Sequence, residues 1–150
     1  MMKHLLLAAA SLLLVATSGS AQELESPAAN QAESSPEILL PHGDPERGRL
    51  VFGGCRSCHF TEAGAGHGNG PNLHRIFGKV AGKQLGFDYY SSELKAAQFV
   101  WTPTVLYVWL ENPMASIPGT TMMSAGVPDP QERADLIAYL ELVTVRTYSN

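Results

Sequence analysis

The chain has 150 residues, 14 acidic against 10 basic side chains and a formal net charge of −4, a length that fits one domain or at most two. Charged residues are only 16% and the basic ones are scattered, which argues against nucleic acid or another polyanion as a partner. Two cysteines are too few for a disulfide framework, and no apolar run reaches the roughly 18–20 residues that a membrane span needs.

Residues 1–21 read as a secretory signal peptide: a basic start at Lys3, the apolar run Leu5 to Ala16, then small residues up to Ala21. Residues 22–42 are rich in Glu, Ser, Ala, Pro and Gln and read as a disordered acidic linker. Its glutamates Glu23, Glu25, Glu33 and Glu37 carry most of the excess charge, because the stretch from Gly43 onward holds 10 acids and 9 bases. Residues 43–150 form the expected folded domain.

Within it the capping signals predict about four helices. Asp44-Pro45-Glu46 opens the first, which runs through Phe52. Ser91 caps a short one over 92–97. Thr102-Pro103 opens a third that stops at Asn112-Pro113, since proline disfavours helix in the residue before it. Asp129-Pro130-Gln131-Glu132 has the capping-box pattern, and Leu136, Ile137, Leu140 and Val143 recur at helical spacing behind it. No alternating strand pattern stands out. Phe60 to Tyr90 and Asn112 to Pro128 remain as long loops, and so much irregular chain in a small domain implies a large buried ligand to pack on.

That ligand is indicated by Cys55-Arg56-Ser57-Cys58-His59. Two thiols separated by two residues can add to the two vinyl groups of one haem, and the histidine that follows can reach the iron. A thioredoxin-like redox pair wants a preceding strand, and a structural zinc site wants two further ligands that the chain does not offer. The glycine run Gly64 to Gly70 is not preceded by a strand or followed by Gly-Lys-Ser/Thr, so it reads as a flexible loop beside the haem rather than a phosphate cradle.

From Gly43 to about Thr144 the chain resembles the class I cytochrome c family. The resemblance rests on the haem motif together with Gly70-Pro71-Asn72-Leu73-His74, Trp101, Leu110-Glu111-Asn112-Pro113, Pro118-Gly119-Thr120-Thr121-Met122 and Asp135 to Leu140. It implies an all-α cytochrome c fold, about four helices with long loops wrapped around one haem c held through Cys55 and Cys58. It also implies axial ligation by His59 and Met122, the latter ending a Pro-Gly-Thr-x-Met turn. Pro71 then corresponds to the proline whose carbonyl fixes the ligand histidine. Trp101, Thr120 and Tyr89 (in preference to Tyr90) correspond to propionate contacts, and Gly48 and Phe52 to the contact with Leu136 and Tyr139. Met114 and Met123 are expected as core filler, and His67 and His74 as loop-pinning or surface residues.

Three positions depart from the family pattern. Trp109 stands where most relatives have a tyrosine beside the ligand methionine, Ser124 replaces an aromatic near the haem edge, and Lys79 replaces an arginine near a propionate. The function implied is one-electron transfer in the periplasm, by a monomer without membrane insertion and without enzymatic activity of its own. Its partners would be redox proteins such as a cytochrome bc complex, terminal oxidase, reaction centre or dehydrogenase, with no nucleic acid. The alternatives are a haem peroxidase or a gas or redox sensor from which the methionine dissociates, or a dedicated subunit of a periplasmic dehydrogenase or reductase.

Overall fold

Asp44 starts the first helix as the sequence dictates. In the computed structural model, which describes residues 39–145, its Oδ1 accepts from the backbone N–H groups of Glu46 (2.8 Å) and Arg47 (3.1 Å), and Pro45 supplies the first helical residue. The expected signal peptide and residues 22–38 of the expected linker lie outside the described residues. Helix α1 spans Pro45–Val51 and tightens into a 3-10 turn, Phe52–Gly54. Helix α2 (Ser92–Ala96) is capped by Ser91 Oγ, and α3 (Pro103–Glu111) by Thr102 Oγ1. Helix α5 (Pro130–Val145) starts where Asp129 Oδ1 accepts from Gln131 and Glu132 N–H.

One element goes beyond the expected four. Asn112 ends α3 and also caps a single further turn, α4 (Pro113–Ser116), its Oδ1 accepting from Ala115 N–H at 3.1 Å. A proline that stops one helix is well suited to begin the next, because its missing N–H falls at a position that has no intrahelical acceptor anyway. Among the described residues the only β pairing is an isolated antiparallel bridge, Val80 to Val100.

Helices α1 and α5 cross against each other, and α3 packs on α5. The α5 residues Ala134, Leu136, Ile137, Tyr139 and Leu140 are buried with Phe52 from the turn after α1 and with Leu106, Tyr107, Trp109 and Leu110 from α3. Phe52 and Tyr139 rings lie 5.3 Å apart. Gly48 is what lets the two helices meet: a Cβ there would overlap the Asp135 carbonyl and lie 2.8 Å from Tyr139 Cβ.

A buried carboxylate ties the crossing together. Asp135, 2% exposed, accepts from Asp44 N–H (2.7 Å), Arg47 Nε (2.6 Å), Arg47 Nη2 (2.9 Å) and Gln131 Nε2 (3.0 Å). The Arg47 guanidinium, opposed by desolvation and aided by the other donors, holds this carboxyl far below the usual carboxylate range. A depressed folded-state pKa stabilises the fold wherever the unfolded carboxyl is ionised, and the contribution is lost as pH falls toward the folded value. Stability of the protein should therefore decline as pH drops below about 4. Asp135→Asn should be less stable at neutral pH and show a flatter decline between about pH 4 and 2. Denaturant midpoints measured across that range check this, and parallel curves for the two proteins would contradict it.

Candidate haem-attachment site

The 3-10 turn delivers the chain into a second tight turn that carries the cysteines. Cys55 N–H donates to Phe52 O (2.8 Å), Cys58 N–H to Cys55 O (3.1 Å) and His59 N–H to Cys55 O (3.0 Å). Helical winding over these residues brings positions three apart to the same side, which is the geometric reason for two intervening residues between the thiols. Neither cysteine is in a disulfide and both are half-buried; before attachment, burial, then the neighbouring Cys58, pushes the Cys55 thiol up.

His59 is held by the loop that follows. Its Nδ1–H donates to the carbonyl of Pro71 at 2.7 Å. A carbonyl oxygen can only accept, so this contact leaves Nε2 with its lone pair, the form that ligates a metal. Burial lowers the imidazole pKa, with the Pro71 bond acting in the opposite direction. Gly70 lies flat against the ring: a Cβ there would approach Nε2 to 2.7 Å and Nδ1 to 2.8 Å, and Cε1 more closely still. The role of Gly70 was legible only as part of a motif; the ring contact that requires it emerges from the fold.

The loop itself is pinned from within. Asn72 is buried; its Nδ2 donates to Glu62 O (2.9 Å) and its Oδ1 accepts from His74 N–H (2.7 Å). His67 Nδ1 accepts from Asn72 N–H (3.0 Å) while Nε2–H donates to Leu85 O (3.0 Å), so this histidine joins the loop to the segment 18 residues on. Lys79 donates to His74 O (2.6 Å) and Gln84 Oε1 (2.5 Å), and burial, then Arg75, pushes its amine down. In this structure the amine therefore straps the 74–84 segment, a role that its place in the sequence did not announce.

The remaining candidate residues come from the other side of the domain. Trp101 is buried, edge-on to Phe99 (4.9 Å between centroids) and to Trp109 (5.7 Å). Thr120 Oγ1 accepts from Met122 N–H at 3.3 Å, and half-buried Met122 packs against the same apolar cluster as Cys55. Tyr89 is 80% exposed and meets this segment through its backbone, its carbonyl accepting from Thr121 Oγ1 at 3.3 Å. Tyr90 is the half-buried member of the pair, with Phe87 edge-on at 4.8 Å. Met114 and Met123 are not core filler: they are 55% and 89% exposed. Residue type marked them as apolar, but the short helix α4 and the loop after it turn them outward.

The far end of that loop is anchored by Arg133, which sequence reading did not single out. Its guanidinium is buried, donates to Val127 O (2.8 Å) and Pro128 O (2.7 Å), and lies 4.5 Å over the Tyr107 ring. Glu111 Oε2 accepts a further bond at 3.4 Å.

Half-buried Cys55, Leu73, Ile117, Met122 and Val127 thus present apolar surface from several loops that the protein covers only in part. Two unpaired thiols one turn apart, a tautomer-locked imidazole directly after them and this apolar surround fit a haem attached through both sulfurs, and together they define a helical c-type haem protein. The family model for cytochrome c matches residues 45–144. The chain is 47% identical over 105 residues to cytochrome c of Chlamydomonas reinhardtii, covering 69% of this chain and 93% of that protein. It is 44% identical over 105 residues to cytochrome c of Ginkgo biloba, covering 69% and 92%. Among solved structures it resembles cytochrome cH from Methylobacterium extorquens, with a TM-score of 0.62, 36% identity, and coverage of 67% of this chain and 99% of that one. The chain belongs to the cytochrome c family, monohaem electron carriers, and holds haem c covalently through Cys55 and Cys58.

Proposed function

We propose that this protein carries single electrons between redox proteins in the periplasm, with His59 and Met122 as the two axial ligands of its haem iron. The observation that carries the reading is the bond from His59 Nδ1–H to Pro71 O, which reserves Nε2 for the metal. When bound, the haem supplies the one-electron couple. The chain's own part is to keep the His59 ring fixed between Gly70 and the Pro71 carbonyl, to offer a thioether from the 120–126 segment, and to shield both from water. A soft thioether opposite an imidazole favours the reduced metal and raises the potential relative to two imidazoles. With both protein ligands held, no coordination position would be left for a substrate, whereas a peroxidase or gas sensor would need Met122 to dissociate.

The periplasmic assignment rests on the basic start and apolar run of residues 1–21 and on the attachment of c-type haem outside the bacterial cytoplasm. Among the described residues no helix is long and apolar enough to cross a membrane. Partners would be a cytochrome bc complex, terminal oxidase, reaction centre or dehydrogenase. The absorption spectrum tests the reading: the oxidised holoprotein should be low-spin and show a sulfur-to-iron charge-transfer band. A high-spin resting spectrum would instead favour the peroxidase or sensor.

The segment that carries Met122 has little charge of its own, with the Glu93 carboxylate lying against it at Gly119. From Asn112 to Gln131 the only charged residue is Asp129. Electron exchange with a protein partner should therefore slow by less than about threefold when ionic strength rises tenfold, because screening acts on charges and this segment contributes only one. Stopped-flow rates against salt check it, and a steep fall would count against this face as the point of contact.

A further inference from the structure

The described residues contain three methionines, Met114 in α4 and Met122 and Met123 in the loop that follows it, all within ten positions. None is in the buried core, where methionine usually serves as a flexible filler. Their environments differ sharply. Met123 is 89% exposed and Met114 55%, while Met122 is half-buried against the apolar cluster. Thioether oxidation follows access to the sulfur and requires its lone pair. Met123 has both, whereas Met122 is shielded and, in the reading above, gives one sulfur lone pair to the iron, which makes the other less nucleophilic.

We infer that Met123, with Met114 as the slower second site, undergoes reversible sulfoxidation by peroxide-class oxidants and so changes the polarity of the partner-facing surface while sparing Met122. The surface effect rests on the electron-carrier reading; the order of oxidation does not. In the reaction the Met123 sulfur attacks one oxygen of hydrogen peroxide, forming an S–O bond as the O–O bond breaks. The sulfur loses two electrons and the peroxide gains them. The proton on the transferred oxygen passes to the departing hydroxide, which leaves as water. The product places a polar S=O group where an exposed apolar side chain stood, on a stretch whose own only charge is Asp129. Methionine sulfoxide reductases reverse the change.

The test uses the oxidised holoprotein and stepwise hydrogen peroxide, with peptide mass mapping to locate each added oxygen. Oxygen is expected on Met123 first, then on Met114, with Met122 slower by about tenfold or more. The sulfur-to-iron band should persist through the Met123 step. Electron exchange at a gold electrode coated with a methyl-terminated alkanethiol should slow several-fold after that step. Met123→Gln should be slow without peroxide, and Met123→Leu should stay fast after it. Oxidation of Met122 as fast as Met123 overturns the inference. So does an electrode rate that Met123 oxidation leaves unchanged. Absence of the band before any peroxide would overturn the ligand reading alone, with the mass map still deciding the order of oxidation.

Discussion

In Met122→Ala the sulfur-to-iron charge-transfer band should vanish and the reduction potential should fall by on the order of 0.1–0.3 V, within the roughly 0.8 V that axial ligands span. The direction follows from softness: a thioether stabilises the reduced iron more than the water or nitrogen ligand that replaces it. Met123 should not take its place. Met122 packs on the apolar cluster while its neighbour is 89% exposed, so an exchange would require the loop to turn over against the bonds from Met122 N–H to Thr120 Oγ1 and from Ser124 N–H to Met122 O. Met123→Ala is therefore the control, and its spectrum and potential should match the parent. Visible spectroscopy and voltammetry on the two holoproteins decide the matter. A band that survives in Met122→Ala would remove this residue from the ligand set.

The second large effect is expected at the helix crossing. Gly48→Ala should destabilise the holoprotein by about 2 kcal/mol and Gly48→Val by about 3 kcal/mol or more. Intrinsic propensity points the other way, since alanine favours a helix by about 1 kcal/mol over glycine. Packing wins because the added carbon would overlap the Asp135 carbonyl, which is backbone and cannot swing aside, and would stand 2.8 Å from Tyr139 Cβ. Any relief must separate α1 from α5, which also stretches the donors around Asp135. Gly53→Ala is the comparison, because a Cβ there meets nothing within 4 Å; its effect should stay within about 0.5 kcal/mol. Guanidinium denaturation of the three variants measures the differences. Equal midpoints for Gly48→Ala and the parent would show that the crossing is looser than described.

These two positions mark how far the sequence could be read. Helix starts at Asp44, Ser91, Thr102 and Asp129 were legible because a cap acts across two or three residues. The extra turn Pro113–Ser116 was missed because Asn112-Pro113 signals an end and a beginning with the same two residues, and only the path of the following chain distinguishes them. Met114 and Met123 were misplaced for a different reason. Neither lies in a helix long enough to show a periodic face, so apolar character alone pointed inward.

What the sequence determined by itself is therefore local and chemical: the caps, the turn that sets Cys55 and Cys58 three residues apart, the histidine beside them, and the family those motifs identify. Tertiary structure decided which groups meet. The tautomer of His59 is set by Pro71, twelve residues away, and the low pKa of Asp135 by Arg47, 88 residues away. The same folding joined Lys79 to His74 and Gln84 and left Met123 in solvent. Burial and hydrogen-bond partners depend on segments far apart in the chain, while sequence rules reach over a helical turn. The attachment chemistry could thus be read from five adjacent residues, whereas the environment around it required the whole fold.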